Sequence, residues 1–390
     1  MFNMKILVLN CGSSSVKFKL FEGEKCIISG LVEEIGNKNS KVKYEFNDKK
    51  EEEIIELKDH KEALNEVIKI LGRHCDLSDL TCITHRVVHG GEEFRDTVII
   101  NKEILGKIES MNYLAPLHNP ACVLGIRVMM ELMPSKKNIA VFDTSFHSSI
   151  PEKAYLYGLP YEYYEKYKIR RFGFHGSSHK YVVREAISHL KKKNAKIISC
   201  HLGNGASIAA SIGGVSQDTS MGFTPLEGLV MGTRSGNIDP SIVNFLADKE
   251  KISSKDVENI LNKKSGMLGI SKLSSDMRVL NDNYDTNKQA RIALEIYAYN
   301  VLKYIGTYAA ILNGVDAIVF TAGIGEKDWR IREMVLDNLG YLGIKLDKKK
   351  NKKNEFILTK KDSKVPVFII KTNEELQMVR ETEKLIGKKS

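Results

Sequence analysis

LVLNCGSSSVKFKLF, from Leu7 to Phe21, sets an apolar run against a turn of glycine and serines and then an alternating run, the pattern of strand, tight turn and strand. IISCHLGNGASIAAS (Ile197–Ser211) repeats the design, and AIVFTAGIGE (Ala317–Glu326) is a third apolar strand feeding a small-residue turn. Taken singly, each is more often an ordinary turn than a binding site. Three in one chain, with backbone amides suited to phosphate oxygens, point to a nucleotide phosphotransfer site on a duplicated α/β core. Neither GxxxxGK[ST] nor the full dinucleotide fingerprint is present, since Gly203-x-Gly205 lacks its third glycine.

Working outward, strands are expected at Lys5–Leu9, Val16–Phe21, Cys26–Val32, Val42–Phe46, before HRVVHGG, at Ile139–Asp143, around Gly203, at AIVFTAG and at Val365–Ile370. Helical periodicity covers Lys61–Arg73, Lys102–Asn112, Pro120–Met133, His179–Lys192, Pro240–Asp248, Lys255–Asn262, Asn287–Leu312 and Trp329–Leu339. A last helix starts near Asn373, capped by Thr372 or Asn373. Strands first, then strands alternating with helices, predict an α/β fold with mixed sheets. The stretch His147–Ile169 commits to nothing.

A chain of 390 residues, 42% apolar and 28% charged, has room for two cores. No run approaches a membrane span, and the N-terminus enters a strand without an export-signal pattern, so a cytoplasmic location is expected. The six cysteines form no CxxC pair, which argues against zinc and a disulfide framework. The net charge of +10 lies partly in runs such as Lys191–Lys193 and KKKNKKN (Lys348–Asn354). These lack interleaved aromatics and read as solvated surface rather than nucleic-acid contacts, although a basic balance suits small anionic substrates.

Several side chains stand where chemistry would need them. Arg86, just before HGG, and Arg234, in MGTRSGNIDP, are forked cations beside turns, suited to carboxylate and phosphate. His175 lies in a turn between Phe174 and Gly176, Asp143 ends an apolar strand, and Glu374 opens the last helix. Glu374 could hold a hydrated magnesium ion, or simply favour a helix start.

In order along the chain, NCGSSSVKF, HRVVHGG, LAPLHNP, VFDTSFH, RFGFHGSSH, HLGNGAS, MGTRSGNIDP, SSDMR, FTAGIGE and TNEEL resemble the acetate kinase family, from Met4 to the final helix. The resemblance implies the acetate and sugar kinase, actin and heat-shock chaperone superfamily: α/β, with two domains of duplicated ribonuclease-H-like topology around a nucleotide cleft. Residues 1–147 plus 376–390 would form the acyl-substrate and phosphate domain, and 148–375 the nucleotide-binding domain, in a homodimer. Asn10 and Arg86 would face the transferring phosphoryl group, and Arg234 would grip carboxylate and phosphate. His175 would stabilise equatorial oxygens and Asp143 would organise the site. Glu374, with Asn10 nearby, would hold Mg²⁺ through its water shell, Mn²⁺ being able to substitute. The resemblance places Ser13, Ser15, Lys17, His201, Leu202, Gly203, Asn204, Gly205, Asp276, Met277, Arg278, Gly323, Ile324 and Gly325 around ATP or ADP. It places Arg86, Val88, Leu117, His118, Phe174 and Pro225 around acetate. Ser177, Asn237 and Lys327 stand where the family usually has Thr, Asp and Asn.

The implied reaction is direct in-line transfer, ATP and acetate giving ADP and acetyl phosphate. Acetate is ionised at neutral pH and needs no general base, so catalysis is positioning and charge neutralisation. A propionate or other short-chain acyl kinase is the neighbouring alternative. A sugar kinase would want a carboxylate base and a polar pocket instead, and an ATP-driven interaction protein would need a large partner surface.

Overall fold

The structure is a computed structural model and describes residues 4–116 and 118–387. The chain divides into two compact units, Met1–Ser145 with Asn373–Ser390, and Phe146–Thr372.

The first unit is built on an eight-stranded mixed sheet: β1 (Lys5–Cys11), β2 (Val16–Glu22), β3 (Lys25–Glu33), β4 (Ser40–Phe46), β5 (Lys49–Ile55), β6 (Leu80–Val87), β7 (Val98–Ile99) and β8 (Lys137–Phe142), in the order β5-β4-β3-β2-β1-β6-β8-β7. β1 and β2 form the expected hairpin, Asn10 facing Lys17 and Cys11 facing Val16, while β1 runs parallel to β6 and β6 parallel to β8. Ile6, Leu7, Val8 and Leu9 are all buried, because β1 is covered on both faces. Leu7 and Leu9 join a core with Ala63, Leu64 and Val67 of the helix His60–His74 and with Val128 and Met129 of the helix Asn119–Leu132. On β1, β6 and β8 also packs the final helix, Glu374–Gly387, which buries Leu376, Met378 and Val379. Asn373 is its cap: the Asn373 carboxamide oxygen accepts from the Leu376 amide at 3.1 Å.

The second unit has a five-stranded sheet of β9 (Lys196–Leu202), β10 (Ala206–Ile212), β11 (Val215–Thr219), β12 (Ala317–Thr321) and β13 (Val367–Ile369), in the order β11-β10-β9-β12-β13. β9 pairs antiparallel with β10 across the Gly203–Gly205 turn and parallel with β12, which is parallel to β13. Matching β9 to β1, β10 to β2, β11 to β3, β12 to β6 and β13 to β8 gives the same order and the same pairing senses, so the expected duplication is present. The helix Gly176–Leu190 packs on β9 and β12, and the long helix Lys288–Ile311 packs on β9 and β10.

Several local expectations are corrected. AIVFTAGIGE does not turn loosely after its strand but passes straight into the helix Ala322–Lys327, with Ala322 at φ +64°. The helix expected from His179 begins at Gly176, because His175 in the left-handed region already bends the chain into it. β5, KKEEEII, carries little strand signal because it is an acidic, exposed edge strand, entered through Asn47 and Asp48 at positive φ. KKKNKKN contains the short helix Lys348–Lys352, and the stretch His147–Ile169 holds the short helices Glu152–Tyr155 and Tyr161–Tyr167. All six cysteines are free, four of them buried. Among the described residues no helix is long and apolar enough to cross a membrane.

Candidate active site

In the first unit, the parallel ends of β6 and β8 present Arg86 and Asp143. The Arg86 Nε donates to both Asp143 carboxylate oxygens at 3.1 and 3.0 Å, and Nη2 donates to Oδ2 at 2.5 Å. Burial opposes the guanidinium charge, but the Asp143 and Glu374 carboxylates outweigh it and raise the Arg86 pKa. The Glu374 carboxyl is pushed up by burial and by Asp143 and Glu375, against the pull of Arg86 and Lys17. Its neighbour Glu375 ends in the opposite state. Although burial raises it, Lys17 at 2.5 Å and Lys19 at 3.1 Å bring its pKa down to about 2.

The turn after β1 is braced rather than loose. The Gly12 amide donates to the Ser15 carbonyl at 2.8 Å, the Ile35 amide to the Ser14 carbonyl at 3.0 Å, and the His60 ring Nε2 to the Gly12 carbonyl at 2.7 Å. Asn10 sits half-buried at its entrance, and Ser13 is exposed at its tip. The loop after β6 carries the buried Val88 and is clamped by Asn119. Its carboxamide accepts from the His89 amide and donates to the His89 carbonyl, both at 3.0 Å, while the Gly90 amide donates to the Thr144 hydroxyl at 3.2 Å. Sequence reasoning passed over Asn119 and Thr144; only the Asn-Pro at a helix start hinted at the first. His118 is exposed immediately before that helix, and Leu117 lies outside the described residues.

Among the described residues no group of three or more His, Cys, Asp or Glu side chains is placed to hold a metal directly. A hydrated magnesium ion asks for less: one or two carboxylates and its own waters. Glu374, half-buried and raised by burial and by two neighbouring carboxylates, is a group that a cation would relieve, so its chemistry fits a water-mediated site.

In the second unit, the Gly203–Gly205 turn is closed by the Gly203 amide donating to the Gly205 carbonyl at 3.1 Å and by the Gly232 amide donating to the Asn204 carbonyl at 3.0 Å. A Cβ on Gly232 would lie 2.0 Å from the Asn204 side-chain oxygen, so any larger residue there would push the Asn204 side chain aside. The Arg234 loop is fixed in the same way. Gly266, at φ +63°, passes so close that a Cβ would lie 2.1 Å from the Met231 carbonyl oxygen and under 3 Å from Arg234 backbone atoms.

Two side chains converge on the Gly205 turn: a Cβ built there would lie 3.6 Å from both Arg234 Nη1 and His175 Nε2. Among the described residues, the Arg234 guanidinium meets only the Pro225 carbonyl at 3.4 Å and the Met231 sulfur at 3.8 Å, and burial lowers its pKa. His175 occupies the left-handed region (φ 57°), and its ring stacks on His201 with centroids 4.2 Å apart. Phe174, buried beside it, accepts from His147 Nε2 through its carbonyl at 3.0 Å. Asn237 donates to the Tyr304 hydroxyl and accepts from the Gly228 amide, both at 2.8 Å. It thus uses both ends of its amide.

A cavity of about 830 Å³ opens beside the turn. Of the residues expected around the nucleotide, it is lined by Gly203, Asn204, Asp276, Met277, Arg278, Gly323 and Ile324. It adds Lys327, the departure noted beside the AGIGE motif, and Asn281, Asp328, Trp329 and Arg330, for which the motifs gave no signal. His201 and Leu202 are buried in β9 and Gly325 in its helix, behind the lining rather than on it. Ser13, Ser15 and Lys17 belong to the first unit. The helix bearing Gly323 to Gly325 is pinned by the buried Arg332. Arg332 Nη1 donates to the Gly325 carbonyl at 2.9 Å, and its other nitrogens donate to Asn351 and Asn354. Burial brings the Arg332 pKa down to about 10.

The model of the acetokinase family matches residues 5–380. The chain belongs to the acetokinase family. Acetate kinases of Pseudothermotoga lettingae and Thermotoga maritima are each 51% identical to it, over 98% and 99% of both chains respectively. Among solved structures, the acetate kinase of Porphyromonas gingivalis superposes with a TM-score of 0.93 at 39% identity, covering 98% of this chain and 100% of that one. A propionate kinase from Francisella tularensis does so with a TM-score of 0.92 at 42% identity, over 97% and 98%. The acetokinase resemblance and the duplicated fold are therefore both shown.

Proposed function

We propose that this acetokinase-family chain catalyses reversible phosphoryl transfer between ATP and acetate, giving ADP and acetyl phosphate directly. The observation that carries the reading is Arg234. A part-buried guanidinium with a carbonyl and a thioether for company, aimed with His175 at a backbone turn, is a cationic site built for an arriving anion. Acetate supplies a carboxylate oxygen that attacks the terminal phosphorus in line, the bond to the bridging oxygen breaks, and ADP leaves with that oxygen's electron pair.

In this reading Arg234 and His175 donate to the phosphoryl oxygens. The fork of Arg86, held flat by Asp143, orients carboxylate and phosphate; Asn10 assists it. Val88, Leu117 and His118 would take the acetate methyl end, making the first unit the acyl-substrate unit; Phe174 and Pro225, expected with them, belong to the second unit. The second, with its Gly203–Gly205 turn and the cavity by Asp276–Arg278, is the nucleotide unit. Glu374 and Asn10 would hold Mg²⁺, or Mn²⁺ in its place, which when bound offsets charge on the phosphate oxygens.

The test is a hydroxylamine trap: iron(III)-hydroxamate forming from ATP, Mg²⁺ and acetate supports the reading, and ATP hydrolysis without hydroxamate overturns it. The likeness to a propionate kinase makes the longer acid a second substrate to compare, by initial rates at matched ATP. Working in the cytoplasm as a homodimer completes the proposal, and light scattering on the purified chain tests the dimer.

A further inference from the structure

Behind His175 lies a chain of buried hydroxyls and imidazoles. His175 Nδ1 and the Ser207 Oγ are 2.8 Å apart; the same Oγ is 2.8 Å from His179 Nε2; and His179 Nδ1 is 2.7 Å from the Ser199 Oγ. Ser207, His179 and Ser199 are completely buried. We propose that Ser207, His179 and Ser199 are a positioning relay that sets the tautomer and ring plane of His175, so that the neutral imidazole presents an Nε2–H to the phosphoryl oxygen. The proposal rests on the reading that His175 meets that oxygen.

The argument is a count of protons. A serine hydroxyl has one hydrogen, and a neutral imidazole has one N–H and one bare nitrogen. Ser207 stands between two ring nitrogens, so it donates to one and accepts from the other. His179 stands between two hydroxyls and does the same. Burial beside His147 and His201 keeps His179 neutral, its pKa well below the usual range.

Only two arrangements satisfy every partner. In one, Ser199 donates to His179 Nδ1, His179 Nε2–H donates to Ser207, and Ser207 donates to His175 Nδ1, which leaves the His175 proton on Nε2. In the other, every hydrogen bond is reversed and a neutral His175 is protonated on Nδ1. For a neutral His175, an anionic oxygen at Nε2 selects the first, because a bare nitrogen there would face it lone pair to lone pair. The hydrogen bonds pass this choice along the chain, and no proton leaves the molecule.

The test uses the full-length chain with ¹⁵N-labelled histidine, free and saturated with ATP without acetate. The expected result is His175 neutral at pH 8 with Nε2 protonated and Nδ1 bare in the ATP-bound state; Nδ1–H there overturns the relay. Ser207→Ala, which keeps His175, should show both tautomers and lose about tenfold in kcat, with both KM values within about twofold. Ser207→Thr, which restores a hydroxyl, should recover both. Wild-type kcat and a single Nε2–H tautomer in Ser207→Ala overturn the proposal. Should that variant fail to fold, Ser199→Ala, which does not touch His175, must shift the tautomer ratio in the same direction. If the wild-type chain forms no hydroxamate, the assigned reaction falls; the tautomer measurement still decides the relay.

Discussion

Asp143→Ala is the perturbation that separates an organising carboxylate from a bystander. The Asp143 side chain is 2% exposed and that of Arg86 24%, and three hydrogen bonds join them. Removing one partner of a buried pair costs about 3–5 kcal/mol. The lower end applies here, since a quarter of the Arg86 side chain still reaches water and Glu374 also favours its charge. A loss of about 3 kcal/mol in a unit of this size lowers its melting midpoint by about 6–12 °C, readable by calorimetry. Released from its fork, the guanidinium samples orientations that a planar bidentate contact cannot use, so kcat should fall about 10²-fold, with ATP binding little changed. Arg86→Ala should fall further, about 10³-fold, as expected for an arginine that meets transition-state charge. The double variant should be no slower than Arg86→Ala alone, because Asp143 acts through the arginine. Additive losses, or a stable Asp143→Ala variant with wild-type kcat, would refute the reasoning.

Glu374→Ala should raise the Mg²⁺ concentration for half-maximal rate as well as lowering the rate; an unchanged metal dependence returns Glu374 to a helix-start role. Val88→Ala should shift kcat/KM toward propionate by about tenfold, within the worth of one methylene, and an unchanged ratio in an active variant means that Val88 does not read substrate size. The buried His85 and His147 are held down to about pKa 4, below the roughly 6.5 of the unfolded chain, so the unfolded state binds more protons between those values. Thermal stability should therefore be full above about pH 6.5 and fall steadily toward pH 4, starting before ordinary carboxylates titrate. A melting temperature flat down to pH 5 contradicts this.

The hairpins around Gly12 and Gly203 were legible because alternation and turn chemistry are local. The Arg86–Asp143 pair was half legible: each residue stood at a strand end, but their contact depends on β6 and β8 being neighbours, a fact of topology. Ala322 at positive φ hid the helix after β12, since alanine rarely adopts that conformation. Asn351 and Asn354 looked like spacers in a solvated basic run, yet they hold Arg332 and through it the Gly325 carbonyl. Ser199, Ser207 and His179 are invisible as a group in the sequence, because strand pairing and a helix bring them together.

The helix Glu374–Gly387 belongs to the first unit but is made after all of the second. During synthesis the ribosome therefore delivers β1, β6 and β8 long before the element that covers one of their faces. Until then that apolar surface stands open, and Glu374 and Glu375 are absent from the neighbourhood of Arg86, Lys17 and Lys19. The unit from Phe146 to Thr372 is contiguous and can complete itself first, reversing the usual N-to-C order of domain maturation. A released chain truncated just before residue 374 would hold a finished second half and an unsealed first one, which makes this fourteen-residue helix the step that chaperones have most reason to guard.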